Sequence, residues 1–285
     1  MELVQSSTAS TRKTSKATRR RGRRSSLAKN SSAWLKGIAG LVAFGLVWDA
    51  LRLMGVISPT WAPSSEQIVI LFVQQLASGA LTAPIVQTLL AWAVGLLLGC
   101  FIGVCWGGLM GASRTIGSLS TYVVSFLRPL PAVSLVPIAI LLLGTGLPMV
   151  FAVVSFAVVW PMLFHTYYGV REVPGQYIET GRALGKNARQ VFLSVTLVAA
   201  APAIATGVRI AAGVALVVVV ATQMIVGGIG GLGAYVMTAR TSGNTDLAYV
   251  GLLAGGLIGV VVNTVFQLIQ QRAFGWSPEN RGEER

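Results

Sequence analysis

Few residues in this chain have the types and spacing that covalent or metal chemistry needs. His165 is the only histidine, and Cys100 and Cys105 are the only cysteines. Two thiols five residues apart in one apolar segment fall on different faces of a helix, so they imply neither a disulfide nor a metal set and read as packing residues. With no second histidine and no nucleophile-base set, His165 reads as structural or interfacial. Two glycine-rich stretches invite a phosphate reading, and both fail on context. Gly228-Ile229-Gly230-Gly231-Leu232-Gly233 matches G-x-G-x-x-G, but no strand, βαβ unit or spaced acid accompanies it. A flexible loop is expected there instead. Gly185-Lys186-Asn187 lacks both the upstream glycine and the Ser or Thr of a phosphate-binding loop. No catalytic residue, metal site or bound cofactor is therefore expected, and the chain does not read as an enzyme.

The chemistry that remains is charge, and its placement is uneven. Arg171 to Gln190 holds Arg171, Arg182, Lys186 and Arg189 against only Glu172 and Glu179, inside a sequence that is otherwise almost continuously apolar. A bilayer interior would reject such a segment, so it must lie in water. Pro174 and Gly175 break the preceding apolar helix. Gln176 to Leu184 suits one short amphipathic helix, and Gly185 can take the positive φ that ends it. An ordinary loop whose basic residues only set orientation would show the same charges.

The elements around this island are membrane spans. The chain has 285 residues, 54% of them hydrophobic and 11% charged, with a mean hydropathy of +0.71, which excludes an ordinary soluble domain. A net charge of +13 spread over a domain would suggest nucleic acid, but ten of the 22 Lys and Arg precede Gly37. Residues 1–33 have the composition of a disordered basic tail that keeps the N-terminus inside or meets anionic lipid; no nucleic-acid partner is expected.

Six apolar segments are predicted over residues 34–276, followed by a polar tail over 277–285. The first runs from about Trp34 to Met54, with Asp49 near its end, solvated or paired with Arg52. Ile57 to Ala83 reads as an amphipathic helix on the outer surface. The second, Ile85 to Met110, carries Gly95, Gly99, Gly103, Gly107 and Gly111 at intervals of four, a stripe that lets another helix approach closely. Gly251, Gly255 and Gly259 repeat it in the last segment. After a short inner loop at Arg114, the third, Thr121 to Leu143, is interrupted by Pro129, Pro131 and Pro137, which bend a helix and free carbonyls. Arg128 beside that bend must face protein or an aqueous cavity. The fourth is Leu147 to Phe164, the fifth Phe192 to Val226 with Arg209 in its inner half, and the sixth Leu247 to Ile269. Gly227 to Asp246 between the last two is expected as a loop at the outer mouth. This arrangement leaves mainly Arg52 and Arg240 outside, as the positive-inside rule requires.

Two ordered motifs resemble a known family. Glu179-Thr180-Gly181, Gly185, Val195 and Leu197 are similar to the E-A-A-x3-G-x9-I-x-L-P signature of bacterial ABC-importer permeases, the binding-protein-dependent transport inner-membrane components. Thr180 and Gly181 depart from the alanine pair, and Val198 stands where proline is usual. About fifty residues earlier, Leu127-Arg128-Pro129-Leu130-Pro131 through Pro137, then Gly144-Thr145-Gly146, resembles the L-R-P-x-P-x-x-A-x-x-P…G-x-G pattern of the sulfonate, taurine and nitrate branch. Thr222-Gln223-Met224 departs where an acid before Met is common.

The resemblance implies an all-α integral membrane protein of the type I ABC-importer permease fold: six transmembrane helices, an outer-surface helix and a cytoplasmic coupling helix, with both termini cytoplasmic in the plasma (inner) membrane. It implies a second copy of the permease, two ATPase subunits that bind ATP and Mg, and an extracytoplasmic binding protein. Tyr177, Ile178, Glu179, Thr180, Gly181, Arg182, Ala183, Leu184 and Gly185 would couple to the ATPase. Arg128, Pro131, Pro137, Arg209 and Gln223 are the candidates for the translocation path or gate. The solute would be a small anion of the sulfonate, taurine, nitrate or bicarbonate type, or else an aromatic carboxylate, a pyrimidine or another vitamin precursor. A secondary transporter would need intramembrane carboxylates, and the spans offer only Asp49 near one boundary.

Overall fold

The computed structural model describes residues 37, 39–58 and 61–274; the basic tail, Trp34, Lys36 and the C-terminal tail lie outside the described residues. All regular structure among the described residues is helical. The chain divides into two compact units, residues 1–67 and 68–285.

In the first unit, helix α1 covers residues 39–53. Trp48 Nε1 donates to the Pro63 carbonyl at 3.0 Å. Asp49 is solvent-accessible with the Arg52 charge nearby, as expected, and it also caps a helix. Its carboxylate accepts from the Ser65 backbone N–H at 3.0 Å and from the Ser65 hydroxyl. Ser65 opens helix α2, Ser65–Ala77. The first N–H groups of a helix have no acceptor within it, and a negative charge there is also favoured by the helix dipole.

The second unit holds the long helices. Among the described residues four are long and apolar enough to cross a membrane: Thr82–Ala112 (α3), Leu147–Arg171 (α6), Ala188–Val226 and Thr245–Ala273 (α11). The third of these is composite: a four-residue α8, Ala188–Val191, a π turn over Phe192–Thr196, and α9, Leu197–Val226. Helix α4, Arg114–Leu127, and the following Ala132–Leu143 are together apolar enough for a further span and are bent by 81° at the break between them. Arg114 lies not in a loop but at the first position of α4, which Ser113 caps through its hydroxyl and the Ile116 N–H. The prolines do not kink one helix here. Pro131 precedes a 3-10 turn, Ala132–Leu135, and Pro137 sits in the first turn of α5, Val136–Leu143, so each begins a new element where its missing N–H costs nothing.

The glycines of α3 bring two backbones together. A Cβ at Gly95 would stand 2.5 Å from Val154 Cγ1, at Gly99 2.6 Å from Val158 Cβ, at Gly103 2.5 Å from Met162 Cβ, at Gly107 2.4 Å from the Leu163 carbonyl oxygen and at Gly111 2.7 Å from Val170 Cγ1. Gly107 also faces Thr166 Cβ at 3.0 Å, so the α6 side chains met are Val154, Val158, Met162, Thr166 and Val170; both series advance in fours in the same direction, and α3 and α6 run parallel in one sustained seam. The Ser155 hydroxyl crosses it to the Gly95 carbonyl at 3.2 Å. Helix α9 packs antiparallel against α6 and also touches α3, with Gly207 under His165 and Gly169 against Ala200 and Ala203. His165 is thus a packing residue at this crossing. The second glycine series is not a seam within this chain. Gly251 meets Val236 at 2.5 Å, Gly259 only touches Leu216 at 3.4 Å, and Gly255 faces open space.

The expected loop after α9 is also corrected. Gly231–Thr241 is a helix, α10, packed against α3, α9 and α11 with Leu232 and Ala234 buried. Its first three N–H groups take side-chain acceptors from two other helices: Gly231 from Gln87 Oε1 at 2.7 Å, Leu232 from Thr88 Oγ1 at 2.8 Å and Gly233 from Gln223 Oε1 at 3.3 Å. Thr88 in turn donates to Gln223 Oε1 at 2.9 Å. The glycine run leaves room for these caps, since a Cβ at Gly231 would lie 2.3 Å from Gln223 Nε2.

Candidate functional site

Two places in the second unit concentrate the polar residues singled out above. They lie toward the same end of α6, whereas α10 packs beside the last turns of α9, around Val220 to Met224.

The first is the charged island. Pro174 precedes helix α7, Gly175–Ala183, nine residues and about 14 Å long at 1.5 Å per residue. Gly185 then takes φ +77°, a conformation open to glycine and costly for a side chain. Its N–H closes the helix on the Arg182 carbonyl at 2.9 Å. The sequence expectation of a short helix ended at Gly185 is therefore met in the backbone. Helix α7 rests on the start of the composite helix through Gly181, where a Cβ would stand 3.2 Å from Val191 Cγ2 and 3.3 Å from Val195 Cγ2. The departure at position 181 has a reason in that close approach. Ile178 is half-buried, while Tyr177, Glu179, Thr180, Arg182, Ala183 and Leu184 are exposed, Leu184 at 74%.

Lys186 and Asn187 serve the turn. Lys186 Nζ donates to Ser194 Oγ at 2.7 Å. Asn187 and Gln190 form a capping box at the start of α8: Gln190 N donates to Asn187 Oδ1 at 2.9 Å and Asn187 N to Gln190 Oε1 at 3.0 Å. The π turn follows directly.

The second place is a pair of clefts around Arg128, at the C-terminus of α4. The guanidinium lies 4.5 Å over the Phe164 ring, a cation–π contact. A cleft of about 620 Å³ between α4 and α6 is lined by Arg128 with Ser125, Phe164, Tyr167 and Tyr168 among others. A second, of about 520 Å³, shares Arg128, Phe164 and Tyr168 and is completed by Trp160, His165 and Val214. The aromatics were missed in the sequence. The run from Trp160 through Phe164 to Tyr167 and Tyr168 on one helix was the available signal, since three- and four-residue steps share a face.

The other path candidates are not brought to these clefts. Arg209 is half-buried in α9 and lines neither. Gln223 is 1% exposed and spends its side-chain oxygen on α10 and Thr88. Pro131 and Pro137 shape the bend past Arg128. Among the described residues no group of three or more His, Cys, Asp and Glu could hold a metal ion.

Apolar helices long enough to cross a membrane, with a short charged helix in the connection between two of them, are the architecture of a multi-pass membrane protein. Residues 95–273 match the model of the family described as binding-protein-dependent transport system inner membrane component. The chain belongs to that family: it is the permease component of an ABC importer and a multi-pass inner-membrane protein.

It is 28% identical over 272 residues to the bicarbonate transport system permease protein CmpB of Synechococcus elongatus, covering 90% of this chain and 97% of that protein. It is 26% identical over 249 residues to SsuC of Bacillus subtilis, named for aliphatic sulfonates transport, covering 87% and 90%. Among solved structures it resembles an inward-facing MetNI methionine ABC transporter, with a TM-score of 0.58 at 20% identity, covering 67% of this chain and 95% of that one; this likeness shows the fold.

Proposed function

We propose that two copies of this chain form the membrane channel of an ATP-driven importer for a small anion handed over by an extracytoplasmic binding protein. Six spans, with α1 as the first and both termini cytoplasmic, put α7 on the inner side. There it would act as the coupling helix, gripped by an ATPase subunit that supplies the ATP and Mg chemistry. The observation that carries this is the seating of α7: its open face offers Tyr177, Glu179 and Leu184, while Gly181 bears on Val191 and Val195 of the helix that continues to Val226. A shift of α7 is therefore delivered to the root of a membrane helix. Closing the ATPase pair would bias a two-state channel from a distance. An anion suits Arg128 and Arg209, and the relatives named for bicarbonate and aliphatic sulfonates transport point the same way.

The test is copurification of the ATPase and uptake in Glu179→Lys and Gly185→Pro. Proline fixes φ near −65° and is incompatible with +77° at position 185. Both variants are expected to insert in the membrane and to lose ATPase docking and uptake. Undiminished copurification with both would overturn the assignment of α7.

A further inference from the structure

We propose that the permease itself carries a binding subsite for a small organic oxyanion, a sulfonate or carboxylate with a short apolar body, in the cleft between α4 and α6 at Arg128. The proposal rests on the importer reading for its biological meaning and narrows the solute within it.

The charge comes first. Arg128 stands where α4 ends, and the negative end of the helix dipole helps to hold a cation there. Its planar face is occupied by Phe164 at 4.5 Å, which leaves the N–H edge of the guanidinium for an acceptor. No carboxylate lines the cleft, and among the described residues Arg128 forms no ion pair. Arg128 is exposed to the cleft without a counter-charge, and a bound anion supplies one.

Tyr167 adds a donor. Its phenol oxygen accepts from Arg171 Nη1 at 2.8 Å, so its own O–H remains available to an acceptor in the cleft, polarised by the charge behind it. The Ser125 hydroxyl on the same wall makes no hydrogen bond among the described residues. Three donor groups of this kind fit an oxyanion, and the Arg128 charge repels a cation.

The walls then choose among oxyanions. Met110, Val124 and Phe164 complete the cleft, and its volume of about 620 Å³ falls in the range of roughly 300–1,000 Å³ usual for small-molecule sites. Nitrate or bicarbonate would satisfy the donors and leave those apolar walls wet. A short alkyl sulfonate or carboxylate covers them as well. A lipid phosphate headgroup presents the same oxyanion chemistry, so the experiment has to separate the two sources.

The probe is 3,3,3-trifluoropropane-1-sulfonate, observed by fluorine NMR line broadening on the full chain in nanodiscs of zwitterionic lipid. Wild type is expected to bind it, with nitrate competing at least about tenfold more weakly. Arg128→Gln should weaken binding at least tenfold. Arg128→Lys, which keeps the charge and loses the planar fork, should fall between, and Tyr167→Phe should lose about threefold. Arg240→Gln, on α10, should bind as wild type does.

Equal binding by wild type and both Arg128 variants would overturn the subsite. Nitrate binding as tightly as the sulfonate would overturn the choice of an organic anion. A response to short-chain phosphatidylglycerol with none to the sulfonate would assign the cleft to lipid and overturn the solute reading. Binding is measured without ATPase or nucleotide. Loss of the importer reading in the copurification test therefore leaves this result standing, and the reverse also holds.

Discussion

Replacing Gln223 by leucine should loosen α10 more than its modest change in volume suggests. Gln223 Oε1 accepts from Thr88 Oγ1 at 2.9 Å and from Gly233 N at 3.3 Å, and the residue is 1% exposed. Leucine fills similar space and strands both donors. A buried donor left without a partner costs about 1–3 kcal/mol in soluble proteins, whereas single interhelical hydrogen bonds in one membrane protein average about 0.6 kcal/mol. The 3.3 Å bond is long and belongs at the low end, so the sum expected for Gln223→Leu is about 2 kcal/mol. Gln223→Glu keeps acceptor oxygens beside the positive end of α10 and should recover at least half of the loss. The assay is reversible denaturant unfolding in mixed micelles with a double-mutant cycle through Thr88→Val, expected to show coupling of about 1 kcal/mol. Amide exchange at residues 231–233 should accelerate in parallel. If Gln223→Leu lies within about 0.5 kcal/mol of wild type and the two changes add, the cap does not hold α10 and the reasoning fails.

Glycine substitutions should split by neighbour rather than by spacing. Gly107→Ala drives a methyl group to 2.4 Å from a backbone oxygen of α6, and overpacking of this kind costs about 1–3 kcal/mol, whereas Gly255→Ala meets open space and should be neutral or slightly stabilising in the isolated chain. Thermal stability in detergent distinguishes them, and equal effects would refute the seam. Asp49→Ala removes the acceptor from the first residue of α2 and should loosen that helix start, with faster amide exchange at Ser65 as the readout and unchanged exchange there as the refutation.

Much of this architecture was legible because lipid imposes simple rules. Long apolar runs appear as helices, and Pro174 and Gly185 bound the short α7 as expected, but α6 continues to Arg171, seven residues beyond Phe164, and α4 begins at Arg114 rather than Thr121; the α3 glycines lie on a helix face as their spacing requires. Identical spacing at Gly251, Gly255 and Gly259 misled because a seam needs a partner, and spacing alone says nothing of one. Helix α10 was read as a loop because four glycines in six residues argue against local helix formation. Its stability comes from Gln87, Thr88 and Gln223, and the first two lie more than 140 residues away in sequence. The Arg128 cleft was half legible. The arginine announced itself, but Phe164 and Tyr167 look like ordinary span residues until the fold lines one cleft with α4 and α6.

The parallel register of α3 and α6 also limits where the chain can be altered in length. One residue inserted between Gly99 and Gly103 would rotate everything after it by about 100°, carrying Gly103, Gly107 and Gly111 off the shared face and pressing side chains into α6. Reporter tags and cross-linking cassettes therefore belong in the turn between α5 and α6 at Gly144 and Gly146, or after α10 at Gly243, where an added side chain meets little or nothing.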